Sequence, residues 1–221
     1  MPPDPFFVKD CALIAIANGE KAQNLRELRD RLEMTPVACV YYHFWGGMLR
    51  PRFDDPEYQN DFASWAAHSL HDKILAERLS SIDPTAYDNL EELRQAVIEI
   101  IEIRLDESET VVWTDVDKQF YFVRSQIVVF DTGVIVSDPE DMRLMLPGLS
   151  LGSIFYHFID ARRRTAGNLD DFTEWLLGFE DQYARLITRI TTIDPYFNTL
   201  SELREALNMS FNECMTAGIE R

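Results

Sequence analysis

Positive charge is scarce in this chain: 21 lysines and arginines stand against 38 aspartates and glutamates, a formal net charge of −17 over 221 residues. The deficit is even, with 11 basic and 21 acidic residues in 1–110, then 10 and 17 in 111–221. A surface of that sign repels nucleic-acid backbones and anionic membranes, so neither is expected as a partner. Cysteine is scarce too. Cys11, Cys39 and Cys214 are odd in number, far apart and free of any CxxC or Cys/His metal spacing. That excludes a zinc knuckle and a thioredoxin-like motif, and isolated thiols fit a reducing cytoplasm. The longest aliphatic run, Cys11–Ala17, is far short of a membrane span. The opening MPPDPFF has neither the basic stretch nor the apolar core of a signal peptide, so none is expected. GxSxG, HExxH, GxGxxG and phosphate-loop patterns are all missing, and neither a cofactor nor a metal is expected.

What is present is a packed core and a repetition. Hydrophobic residues make up 46% of the chain and aromatics 12%, which argues against disorder. Val37–Phe44 reads VACVYYHF and Leu151–Phe158 reads LGSIFYHF, 114 residues on. At the same offset, Leu28, Arg29 and Leu32 face Met142, Arg143 and Leu146, and Asn18-Gly19 faces Thr132-Gly133. Further on, Asp61-Phe62-x-x-Trp65 matches Asp171-Phe172-x-x-Trp175, Ile82-Asp83-Pro84 matches Ile193-Asp194-Pro195, and LEELR at 90–94 matches LSELR at 200–204. Two copies are too few for a solenoid. The expectation is a mostly α chain of two tandem, pseudo-equivalent helical lobes: residues 1–105, an acidic linker over 106–117, and residues 118–221.

The segments that open the copies disagree in propensity. Residues 120–130 (FYFVRSQIVVF) are β-branched and aromatic and read as extended, whereas the alanine-rich 6–18 (FFVKDCALIAIAN) also suits a helix ending at Gly19. Short extended segments are therefore allowed at 6–18 and 120–137. Asn24 suits an N-cap for a helix over 25–33, and Ser137-Asp138-Pro139 supplies a cap followed by a first-turn proline. The repeated stretch predicts helices from Val37 to Leu49 and from Ser150 to Arg164. Phe172, Trp175, Leu176, Phe179, Tyr183, Leu186, Ile187 and Ile190 form an apolar stripe of helical period, with Asp171 and Glu174 as a capping box. In the first copy the phase is lost near His71, which suggests a kink. Asp88-x-x-Glu91 and Thr199-x-x-Glu202 read as capping boxes for the last helix of each copy.

The order YYHF, LRPRF, NDFxxW, LAERLxxID and LEELR, over residues 6–105, resembles an uncharacterised prokaryotic family of unknown function. The second copy lacks the LRPRF and LAERL elements. The resemblance implies an architecture and no activity.

Four groups of residues are candidates for chemistry. His43 and His157 sit between aromatics in both copies, and Asp61 and Asp171 stand at helix starts, so a His–Asp pair could serve acid–base catalysis or simply satisfy a buried ring. Arg50 and Arg52, and Arg162 and Arg163 with Arg164, follow the repeated helix. They would either complement its C-terminal dipole or dock an acidic segment, a phosphate or a sugar phosphate. Trp65 and Trp175 recur beside the aspartates. His68-x-x-His71 has metal-like spacing but falls off the apolar stripe, which favours a solvated face. The reading is a cytoplasmic, non-enzymatic interaction or regulatory module with a protein partner, and the sequence does not specify an oligomeric state. The alternative is an enzyme or small-molecule binder using the His–Asp pairs and the arginines.

Overall fold

The computed structural model describes residues 3–50, 57–107, 116–165 and 167–216. Strands β1 (Phe6–Ala22) and β2 (Phe120–Val136) are 17 residues each and pair with one another as a two-stranded sheet. Thr132 Oγ1 donates to Val8 O, and Val116 N donates to Gln23 O just beyond the other end, so the strands run antiparallel. Each is about three times the usual strand length. Gly19 and Gly133 lie inside them with φ of 82° and 72°, the left-handed conformation that a glycine bulge uses.

This overturns the mostly helical, two-lobed expectation, because the fold is mixed α/β. The segments opening the two copies are long strands, not short extended pieces. Residues 6–18 are extended despite their alanines because β2 supplies a hydrogen-bonding partner more than 100 residues away. Local propensity carries no information about such a partner.

The chain forms two compact units, and the boundary falls inside both strands. One unit, residues 13–126, holds the end of β1, the start of β2, and α1 (Leu25–Met34), α2 (Ala38–Trp45), α3 (Asp61–His68), α4 (Lys73–Ser80) and α5 (Leu90–Glu107). The other, residues 1–12 with 127–221, holds the start of β1, the end of β2, and α6 (Pro139–Met145), α7 (Leu151–Ile154), α8 (Asp171–Leu177), α9 (Ala184–Thr191) and α10 (Leu200–Thr216). These discontinuous units differ from the division at 106–117. Asp106 and Glu107 belong to α5, and residues 108–115 lie outside the described residues.

Within the α1–α5 unit, Leu25, Leu28 and Leu32 form the buried face of α1, whose N-cap Asn24 accepts from Glu27 N. They share a core with Phe44, Phe62, Leu75, Leu79, Leu93, Val97 and Ile101, all fully buried or nearly so. Each such side chain contributes about 1.5–3 kcal/mol through burial. The kink expected near His71 is a break between α3 and α4, with His71 at φ 58°. Asn89 caps α5 by accepting from Glu91 N and Glu92 N, one residue later than the expected Asp88.

Within the α6–α10 unit, Asp138 caps α6 as expected, and Thr199 and Glu202 make the reciprocal capping box at α10. The helix expected over 150–164 is present in three forms: α7, then a π turn at Phe155–Ile159, then a 3-10 turn at Asp160–Arg163. The single helix expected from Phe172 to Ile190 is broken into α8, a 3-10 turn and α9, with Glu180 at φ 58°. Gly178 marks the break. A Cβ there would lie 2.6 Å from Pro3 Cβ, so the segment before β1 passes where a continuous helix would carry a side chain.

Candidate functional site

His43 is 4% exposed on α2, and its ring packs against Phe120 at 4.6 Å and Phe62 at 5.2 Å. Its Nδ1 lies 2.8 Å from Asp61 Oδ2, and its Nε2 accepts the backbone N–H of Val123 on β2 at 3.2 Å. His157 is 3% exposed in the π turn, beside Phe6 at 4.7 Å and Phe172 at 5.9 Å. Its Nδ1 lies 2.7 Å from Asp171 Oδ2, and its Nε2 accepts the N–H of Lys9 on β1 at 2.9 Å. Lys9 and Val123 are themselves 114 residues apart, as the histidines are.

A backbone N–H can only donate, so Nε2 presents its lone pair in both rings and the ring hydrogen sits on Nδ1, where it is donated to the aspartate. Every hydrogen-bonding position of the imidazole is then filled by a structural partner. A general base needs a lone pair facing a substrate, and neither ring has one. The rings act as clamps that fasten a helix to the opening residues of a strand.

The tryptophans complete the clamps. Trp65 Nε1 donates to Lys118 O at 2.8 Å, and Trp175 Nε1 donates to Asp4 O at 3.1 Å. Asp61 and Asp171 are free to hold the rings because capping falls to the preceding residue. Asn60 accepts from Ala63 N and Asp170 from Thr173 N, so the capping role read for Asp171 belongs to Asp170. Burial raises the Asp170 carboxyl above the ordinary range, against the pull of its Thr173 hydrogen bonds and of Arg162.

The arginines divide. Arg164 Nη2 reaches Asp171 Oδ2 at 3.1 Å, its guanidinium lies 4.0 Å above the Tyr156 ring, and its Nε meets Asp160 Oδ2 at 3.3 Å. Arg163 pairs with Asp160, and Arg162 lies against Phe158 with its Nη2 3.5 Å from Asp170 Oδ2. Burial pushes the Arg162 guanidinium below its usual value, opposed by Asp170. Arg163 and Arg164 are therefore engaged by Asp160 and Asp171, whereas Arg162 donates Nε to Phe158 O at 3.1 Å and its buried Nη2 makes no hydrogen bond among the described residues, Asp170 Oδ2 lying 3.5 Å away. Arg50 is exposed and stacks over Tyr42 at 4.8 Å, with no carboxylate partner among the described residues. Arg52 lies outside the described residues. Asp61, with no arginine upon it among the described residues, is 37% exposed in its side chain against 18% for Asp171.

His68 and His71 are exposed and face Glu57 and Asp117. Among the described residues no group of three or more His, Cys, Asp or Glu is placed to hold a metal ion. Burial, assisted by Asp10 and Asp160, pushes the Cys11 thiol up to about 12, and burial also raises Cys39, so neither offers a thiolate. A hollow of about 410 Å³ in the α6–α10 unit is lined by Asp4, Phe7, His157, Asp171, Glu174 and Trp175 among others, with no arginine or lysine in its wall among the described residues.

Sequence reasoning missed two positioning devices. The π turn that holds His157 carries no local signal. Arg94 and Arg204 donate to carbonyls, at Thr35 O and Leu149 O respectively, both at 2.9 Å. Their repetition in LEELR and LSELR was the available clue.

The chain belongs to a family of unknown function, DUF5752, whose sequence profile matches residues 3–212. The solved structure of OrfY from Thermoproteus tenax has a similar fold, with a TM-score of 0.81 over 97% of this chain and 98% of that chain, at 21% identity. No curated protein matches the chain. Among the described residues no helix is long and apolar enough to cross a membrane.

Proposed function

We propose that this member of the family is a cytoplasmic, non-enzymatic interaction or regulatory module that acts by binding a protein partner. The observation that supports this reading is the closure of both His–Asp pairs. Val123 N–H and Lys9 N–H occupy the nitrogens that a catalytic dyad would keep open. The pairing of Arg163 and Arg164 with Asp160 and Asp171 supports the reading too, since an anionic substrate would have to displace those carboxylates. A small-molecule-binding reading keeps one observation of its own, the hollow beside Asp171 and Trp175.

One experiment separates the two. The intact chain is screened against a metabolite panel by thermal shift, with ring resonances of His43 and His157 followed by NMR. The interaction reading expects no compound to raise Tm while perturbing either ring. It also expects a partner protein that rebinds the purified chain at fixed stoichiometry. A compound that binds, shifts the His157 ring and loses its effect in Trp175→Ala contradicts it.

A further inference from the structure

The hollow of about 410 Å³ in the α6–α10 unit brings carboxylates and aromatic rings into one wall, with Asp4, Asp171 and Glu174 beside Phe7 and Trp175. Asp171 is already held by His157 and Arg164. Asp4 and Glu174 are exposed, and neither side chain has a cationic partner among the described residues. We propose that the hollow receives a lysine or arginine side chain of a protein partner, its cation against Asp4 and Glu174 and its stem against Phe7 and Trp175. This rests on the interaction reading and names the chemistry of the partner.

The duplicated corner shows that the clamp does not need these carboxylates. In the α1–α5 unit, Phe120, His43, Asp61 and Trp65 repeat the contacts of Phe6, His157, Asp171 and Trp175. Lys118 stands there in the place of Asp4, its carbonyl likewise accepting from the tryptophan. Ser64 stands in the place of Glu174. A clamp that closes equally well around a lysine and a serine leaves Asp4 and Glu174 without a part in it.

Enclosure and charge select the occupant. Small-molecule sites bury about 70–90% of their ligand. Asp4, Phe7 and Glu174 are all exposed, so this hollow covers the end of a side chain and leaves further contacts to the surface around it. Aromatic faces attract cations, and the alkyl stems of lysine and arginine pack on apolar surface while the charge stays among carboxylates. The net charge of −17 draws a basic partner before the hollow is reached.

Trp175 Nε1 donates to Asp4 O, so its indole resonance in an ¹H–¹⁵N spectrum of the full chain reports on this wall. The probes are the acetylated tripeptide amides Gly-Lys-Gly, Gly-Arg-Gly and the neutral Gly-norleucine-Gly, with n-butylammonium as the free cation. The two basic peptides should shift the Trp175 resonance saturably, with Kd on the order of 1 mM, and leave Trp65 unmoved. The norleucine peptide should give no shift, and n-butylammonium should bind several-fold more weakly. Asp4→Lys with Glu174→Ser, which gives the hollow the other unit's side chains, should abolish the shift at unchanged Tm. Glu99→Ser with Glu205→Lys makes the same change in net charge on α5 and α10, and should bind the peptides like the parent. No saturable shift at Trp175, an equal shift with norleucine or at Trp65, binding that survives in the hollow variant, or equal loss in the Glu99 and Glu205 variant overturns the proposal. Equal binding by n-butylammonium assigns the hollow to free organic cations and overturns it as well. Failure of the peptides removes the hollow as a docking point alone, whereas a metabolite that perturbs the His157 ring and depends on Trp175 removes the interaction reading.

Discussion

Lys9 donates its backbone N–H to His157 Nε2 at 2.9 Å across 148 residues of chain. Val123 does the same for His43 at 3.2 Å across 80 residues. In each unit the imidazole joins the helix carrying YYHF or FYHF to a strand that begins in the other half of the sequence. Phe6 and Phe120 lie against the two rings, and the carbonyls of Asp4 and Lys118 receive the tryptophans.

Because each ring is buried and doubly bonded, His43→Ala and His157→Ala should each destabilise the chain by about 2–4 kcal/mol, combining an unsatisfied N–H with the cavity left behind. Urea melts of the two variants measure this. Unchanged midpoints in both would remove the clamp as a structural element.

Asp170 gives a pH dependence of stated sign. Its carboxyl is raised by burial, so its contribution to stability is greatest at low pH and is lost as pH rises from the ordinary carboxylate value, about 3.9, through the folded one. Asp170→Asn keeps a capping oxygen, as Asn60 does at α3, but does not ionise. Its stability relative to the parent should therefore increase as pH rises from about 4. Denaturant midpoints taken across that range give the slope, and a slope of the opposite sign contradicts the burial account.

Thiol accessibility follows burial. Cys11, pushed up to about 12, and buried Cys39 should resist alkylation in the folded chain, while partly exposed Cys214 reacts first. Peptide mass spectrometry after brief iodoacetamide treatment under native conditions should find the label at Cys214. Label at Cys11 before Cys214 would contradict the packing of β1 against Gly152 O.

The sequence showed some of this directly. The repeat paired His43 with His157, Asp61 with Asp171 and Trp65 with Trp175, and each pair makes matching contacts. Asn24 and Thr199 were readable as caps because a cap is local. What stayed hidden was non-local. The partner that keeps residues 6–18 extended is more than 100 residues away, and Pro3 crosses at Gly178, where the Phe172–Ile190 stripe breaks. The cap at Asp170 displaced the one read at Asp171 because Asp171 is needed by His157, a contact that spacing alone does not reveal.

The central claim is that both rings are structural clamps with their nitrogens filled. Two-dimensional long-range ¹H–¹⁵N NMR of the imidazoles tests it most directly. The account predicts that His43 and His157 each show a hydrogen-bearing Nδ1 and a bare, hydrogen-accepting Nε2, the Nδ1–H tautomer. Exposed His68 and His71 serve as reference rings. A hydrogen on Nε2, or fast exchange between tautomers in either buried ring, would contradict the account and reopen the His–Asp pairs as chemistry.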